Sequence, residues 1–299
     1  MVMTFSGHRA RKRFGQHWLT DAGVLDRIVQ AAELHDVDRV LEVGPGRGAL
    51  TERLLQSPLA SLTAVELDRD LVAGLRQQFG ADPRFCLLEG DVLELELPPA
   101  TKVVANIPYN ITGPLLERLV GRLDRPAATS YTRLVLLVQQ EVGERIRCRA
   151  GSSAYSALSV RMQLMARCQG VCAVPPRCFQ PPPRVHSEVI VIEPLPAAER
   201  LPVAVAATVE RLLRRCFAAR RKMLRNTLAG LLPAEALSAL AAAAGIDLQQ
   251  RPQELEPQRW VALAEGLNQA EASAPAPPFL RGCGVHPSRS VAERDPWQH

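Results

Sequence analysis

From residue 37 to 138, short apolar runs alternate with segments whose apolar residues recur at helical spacing, and this alternation restricts the fold more than any other feature of the chain. The runs fall at 39–43, 61–66, 84–88, 102–105 and 134–138, and the helical segments at 48–56, 70–79 and 113–123. A helix between two strands returns the chain to the same end of the sheet, so such strands lie parallel. The pattern predicts a doubly wound α/β core. Two further apolar runs, at 170–174 and 187–192, flank a proline-dense loop at 175–183, which cannot be a central strand because proline removes ladder donors.

After a proline-bounded linker at 194–202 the periodicity becomes helical throughout, at 203–217, 220–232, 234–244 and 257–268. This predicts three parts: an α/β domain at 1–197, a small all-α domain at 198–268, and a tail at 269–299. The tail is rich in proline, serine and glycine and reads as disordered. A content of 47% hydrophobic and 22% charged residues excludes a wholly disordered or coiled-coil chain.

The net charge of +5 is mild, but its distribution is not. Arg9, Arg11, Lys12 and Arg13 form one basic run. Arg211, Arg214, Arg215, Arg220, Arg221, Lys222 and Arg225 form another, and neither contains an acid. Removing those eleven from 36 leaves 25 basic against 31 acidic residues, a net −6 elsewhere. A net-acidic body with two basic patches suits a polyanionic partner, although a solvated helix face has the same composition. Arg221 and Arg225 would share a face of the helix expected at 220–232.

Seven scattered cysteines suit a reducing cytoplasm better than a disulfide scaffold. Cys168, Cys172, Cys178 and His186 match no common zinc spacing, so no metal is expected. No signal sequence or membrane span is legible.

Glu42-Val43-Gly44-Pro45-Gly46-Arg47-Gly48 joins a predicted strand to a predicted helix, where glycine lets the backbone turn sharply and approach a ligand. Glu66 ends the second strand, about where doubly wound folds set an acid against ribose hydroxyls, and Asp91 follows the third, within reach of an adenine amine. A nicotinamide dinucleotide is the competing ligand. Its fingerprint asks for a last glycine where Ala49 stands, and Gly-Pro-Gly-Arg-Gly instead looks like the loop that holds S-adenosylmethionine.

Asn106-Ile107-Pro108-Tyr109 directly follows the fourth strand. An exocyclic amine is a poor nucleophile because its lone pair is delocalised into the base ring. The Asn106 side-chain oxygen and the Ile107 carbonyl can accept its two hydrogens and draw the nitrogen toward a tetrahedral shape, with Pro108 stiffening the turn. Tyr109 offers a π face to an extruded base.

Together with Arg11-Lys12-Arg13-Phe14-Gly15-Gln16-His17-Trp18-Leu19 and Arg220-Arg221-Lys222-Met223-Leu224-Arg225-Asn226, these motifs resemble the ribosomal RNA adenine N6-dimethyltransferases over about 11–268. Within that family they are most similar to the branch that dimethylates two adjacent adenines near the 3′ end of small-subunit (16S) rRNA. The resemblance implies a Rossmann-like class I methyltransferase fold with a helical RNA-binding appendage, S-adenosylmethionine as cofactor and the small ribosomal subunit as partner. A cytoplasmic, monomeric protein is expected. The resemblance also implies that Gln16, His17, Leu19, Gly44, Glu66, Asp91 and Asn106 hold the cofactor. Asn106, Tyr109 and Phe179 would serve the target base, and Arg11, Lys12, Arg13, Arg221, Lys222 and Arg225 the RNA. A phenylalanine before prolines is otherwise a core anchor.

The chain departs from the family pattern at Trp18, commonly Phe, at His186, usually Asp, and in its tail. The alternatives are a large-subunit adenine methyltransferase of the antibiotic-resistance type, which shares the Asn-Ile-Pro-Tyr motif, and a non-catalytic assembly factor on the same scaffold.

Overall fold

The computed structural model of the chain describes residues 16–127 and 131–273. The basic run at 9–13, with Arg11, Lys12 and Arg13, and residues 274–299 lie outside them.

The chain begins with β1 (Trp18–Leu19) and α1 (Ala22–Ala32), followed by β2 (Arg39–Val43), α2 (Ala49–Leu55), β3 (Ser61–Glu66), α3 (Arg69–Phe79), β4 (Phe85–Glu89) and β5 (Lys102–Asn106). Next come α4 (Thr112–Val120), a short hairpin of β6 (Gly121–Arg122) and β7 (Arg125–Pro126), β8 (Arg133–Gln139), α5 (Gln140–Arg147) and α6 (Ala157–Met165). Then come β9 (Ala166–Val174) and β11 (Ser187–Pro194), which join the main sheet, and between them β10 (Phe179–Gln180), which pairs with β1 in a separate two-stranded ladder. Four helices follow: α7 (Val203–Phe217), α8 (Leu224–Thr227), α9 (Ala234–Ala243) and α10 (Pro257–Ser273).

Seven strands form the main sheet in the order β4-β3-β2-β5-β8-β11-β9. β4, β3, β2, β5 and β8 are parallel, and β11 runs antiparallel to both β8 and β9. The order reverses between β2 and β5, where open α/β sheets leave a crevice at the carboxyl ends of their strands. Alternate residues feed two cores. Val40, Val104 and Val135 face the side packed by α1, α2 and α3, while Leu41, Val103 and Leu134 face the side packed by α4 and α6.

α1 was not legible as an element of the alternating pattern, which begins after it. Asp21 caps it by accepting from Val24 N–H at 2.9 Å, and Val24, Leu25, Ile28 and Ala32 form its buried stripe. α4 stops at Val120 rather than at 123. Gly121 adopts φ 87° and turns the chain into β6, and a Cβ there would lie 2.0 Å from Ala127 N.

The helix expected at 220–232 is not formed. Residues 218–221 form turns and Met223 is extended, and Leu224 N–H and Arg225 N–H donate to the carbonyls of Gln250 and Leu248, so a separate short helix starts there. Arg215 then binds the Thr227 and Ala229 carbonyls, capping α8 at its end. Arg221 and Arg225 therefore do not share a helix face. α10 extends past 268 to Ser273, held by the Arg211–Glu271 ion pair, so 269–273 are helical rather than tail.

α6 is buried on nearly every side because the sheet lies beneath it and α7 and α10 above, and the core of this face runs without a break from Leu41 to Leu267. Arg161 of α6 meets Glu210 of α7 in a two-pronged buried ion pair of 2.9 and 2.7 Å. Tyr155 Oη donates to the Leu255 carbonyl across the same junction.

Candidate active site

The carboxyl ends of β2, β3, β4 and β5 converge on a cleft of about 850 Å³, counting the part open to solvent. Gly44 and Gly46 follow β2 with φ of 68° and 60°. A Cβ on Gly46 would meet the Trp18 ring at 2.8 Å, so glycine is required where β1 lies over the loop.

Glu66, at the end of β3, accepts from Gly46 N–H at 3.1 Å on one oxygen and from Asp68 N–H at 2.8 Å on the other. Burial raises its pKa against the pull of these backbone donors. Gln16 Nε2 donates to Asp68 Oδ2 at 2.8 Å, fastening the segment before β1 to the start of α3. Asp91 follows β4 and accepts from Leu93 N–H at 2.8 Å through Oδ1, and its Oδ2 has no partner among the described residues. Leu67, half exposed, supplies an apolar wall that the sequence reading missed, although its place after Glu66 signals it. Carboxylates at two strand ends, an apolar wall and a glycine cradle fit a nucleoside with a charged extension, as S-adenosylmethionine has.

An adjoining cavity shares Trp18, Gly44 and Asn106 with the cleft and reaches Leu19, Glu42 and Arg47. Glu42 is wholly buried, accepts from Thr51 Oγ1 at 2.8 Å, and leaves Oε1 without a partner among the described residues. Burial first, and the neighbouring Glu66 charge second, push its pKa up to about 8, Thr51 opposing them. Glu42 was read only as part of a loop motif, since its titration follows from burial. The Arg47 guanidinium lies 3.8 Å from the centroid of the Trp18 ring.

At the end of β5, Asn106 Nδ2 donates to the His17 carbonyl at 3.1 Å, and Oδ1 has no partner among the described residues. The His17 ring stacks on Tyr109 with centroids 5.8 Å apart and planes 25° apart, and its Nδ1 pairs with the Pro181 carbonyl at 2.8 Å. Tyr109 Oη is 2.5 Å from Ser187 Oγ, and burial raises the phenol pKa. Neither the His17 stack nor the Ser187 contact has a signal in the sequence, because each joins residues far apart in the chain.

The cleft thus gathers Gln16, His17, Gly44, Glu66, Asp91, Asn106 and Tyr109, with Leu19 in the adjoining cavity. It does not gather Phe179. That side chain is 4% exposed, pairs with Leu19 across the two-stranded β1–β10 ladder, and joins the core with Val174 and Cys178. Its ring packs in the core and does not line the cleft in this structure. Within the second basic run, Arg211, Arg214, Arg215 and Arg220 are engaged within the protein. Arg221, Lys222 and Arg225 are exposed and have no partner among the described residues.

A sheet that reverses at β2 and β5, a glycine loop facing Glu66, and an Asn-Ile-Pro-Tyr turn at the next strand end together define an S-adenosylmethionine-dependent methyltransferase of amino nitrogens. More particularly, the chain belongs to the ribosomal RNA adenine dimethylase family, whose profile matches residues 7–269. It is 69% identical over 94% of its length to Ribosomal RNA small subunit methyltransferase A of Parasynechococcus marenigrum (strain WH8102), covering 95% of that protein. A dimethyladenosine transferase from Plasmodium falciparum has the same fold, with a TM-score of 0.71 and 24% identity, over 85% of this chain and 98% of that one. The 23S rRNA methyltransferase ErmE follows with a TM-score of 0.68 and 27% identity, over 84% of this chain and 100% of that one.

Proposed function

We propose that this chain dimethylates N6 of two adjacent adenines near the 3′ end of small-subunit ribosomal RNA during subunit assembly. The observation that carries the reading is Asn106, whose amide nitrogen is held by the His17 carbonyl so that Oδ1 remains to accept from the target amine. The 69% identity to a small-subunit enzyme, against 27% to a large-subunit one, favours the small subunit.

S-adenosylmethionine supplies a methyl group made electrophilic by its sulfonium. Gln16, His17, Leu19, Gly44, Glu66, Asp91 and Asn106 are the residues assigned to hold it. Asn106 Oδ1 and the Ile107 carbonyl take the two amine hydrogens, and this localises the nitrogen lone pair toward the donor. Tyr109, backed by His17 and anchored by Ser187, stacks on the base. The alkylated amine is acidic enough to release its proton without a side-chain base.

Arg221, Lys222 and Arg225, together with Arg11, Lys12 and Arg13, are assigned to RNA phosphates, with 198–268 as the RNA-binding part. A ribosomal substrate and free cysteines support a cytoplasmic location. No helix among the described residues is long and apolar enough to cross a membrane.

Mass spectrometry of small-subunit RNA from cells with and without the chain tests substrate, position and methyl number together. Dimethylated adenines that persist without it, or labelled methyl transfer confined to large-subunit RNA in vitro, would overturn the reading.

A further inference from the structure

The loop at 181–186 runs along the rim of the cleft, because both of its ends are tied to residues that line it. At one end the Pro181 carbonyl meets His17 Nδ1, and just past the other Ser187 Oγ meets Tyr109 Oη. No residue between these anchors is more than about 10 Å of extended chain from one of them. The His186 carbonyl is further fixed by Gln140 N–H at 3.0 Å.

Between the anchors stand Arg184, exposed and without a partner among the described residues, and Val185, an aliphatic side chain 43% exposed. The sequence from 175 to 187 contains no acid, and Glu141 in the adjoining first turn of α5 is ion-paired with Arg145. The core does not require either side chain. Three consecutive prolines fix φ through the loop, so little ordering would accompany contact.

We propose that this rim loop holds the RNA strand that carries the target adenosine, with Arg184 on a backbone phosphate beside the extruded nucleotide and Val185 against the base left behind in the strand. The inference rests on the proposed function. Extrusion turns the sugar-phosphate backbone sharply at the cleft mouth and strips the neighbouring base of a stacking partner. A cation and an apolar side chain side by side match those two needs.

The test measures binding of the full chain to unmethylated small subunits between 50 and 200 mM salt, with Arg184→Glu, Arg184→Lys and Val185→Gly. Losing one single-strand phosphate contact lowers the slope of log affinity against log salt by about 0.7. Arg184→Glu should show that loss and Arg184→Lys should not, while both bind S-adenosylmethionine as the wild type does in calorimetry. Val185→Gly should keep the slope and methylate more slowly at saturating subunits. A wild-type slope in Arg184→Glu, or a wild-type rate in Val185→Gly, overturns the proposal while leaving the proposed function standing, provided the wild type methylates small-subunit RNA. If the wild type does not, both fall.

Discussion

The Asn106 side-chain amide is held by the backbone carbonyl of His17 at 3.1 Å, so the residue that ends β5 is oriented by the segment that enters β1. A backbone carbonyl can only accept, and this settles which end of the amide faces it. Asn106→Ala removes the free acceptor and should slow single-turnover methylation by about 10²–10³-fold. Asn106→Asp should not rescue it, because a carboxylate cannot donate to His17. Wild-type-like turnover in either variant would remove Asn106 from the chemistry.

Trp18 lies over both Gly46 and Arg47 at the edge of the cofactor cleft, whereas Trp260 of α10 is buried in the core against Phe217 of α7. Titrating S-adenosylmethionine into the wild type should change tryptophan emission, and Trp18→Phe should abolish most of that change. An undiminished signal in Trp18→Phe would show that the ligand does not reach this corner.

Glu42 gives the fold a pH dependence of definite sign. Its pKa is about 8 in the folded protein against 4.5 for the ordinary group, so between these values the folded state binds the extra proton. The stability linked to that proton is fully present below about 4.5, declines as pH rises, and is gone above about 8. Glu42→Gln keeps the shape and the Thr51 contact without the titration. Its melting temperature should gain on the wild type from pH 5 to pH 8, by an amount corresponding to on the order of a few kcal/mol. Parallel melting curves across that range would refute the assignment.

The second basic run divides by partner. Charge reversal of Arg221 and Arg225 together should weaken binding to small subunits and flatten its salt dependence, with the melting temperature unchanged. Arg215→Ala should instead lower the melting temperature, because its guanidinium satisfies the Thr227 and Ala229 carbonyls at the end of α8. Binding and its salt slope left unchanged by the double reversal would exclude this turn from the RNA interface.

The strands at 39–43 and 61–66 were legible residue for residue because central parallel strands, buried on both faces, leave continuous apolar runs. Glu66, Asp91 and Asn106 were legible for a related reason: each sits at or just past a strand end, so sequence position fixes its place around the crevice. The segment at 220–232 misled because its apolar spacing is helical, while the backbone donors of Leu224 and Arg225 within it are taken by Gln250 and Leu248, more than twenty residues away. The pairing of Phe179 with Leu19 and the burial of its ring join residues about 160 apart in the chain and have no local signature. The contacts that orient the reacting end, His17 with Asn106 and Tyr109, bridge about ninety residues and have no local signature.

The Arg161–Glu210 pair and the unbroken core around α6 have a further consequence. The segment carrying Arg221, Lys222 and Arg225 is joined to the strand end that carries Asn106 through one continuous core and a buried ion pair. On the proposed function, this continuity sets a span between the grip on RNA phosphates and the reacting amide.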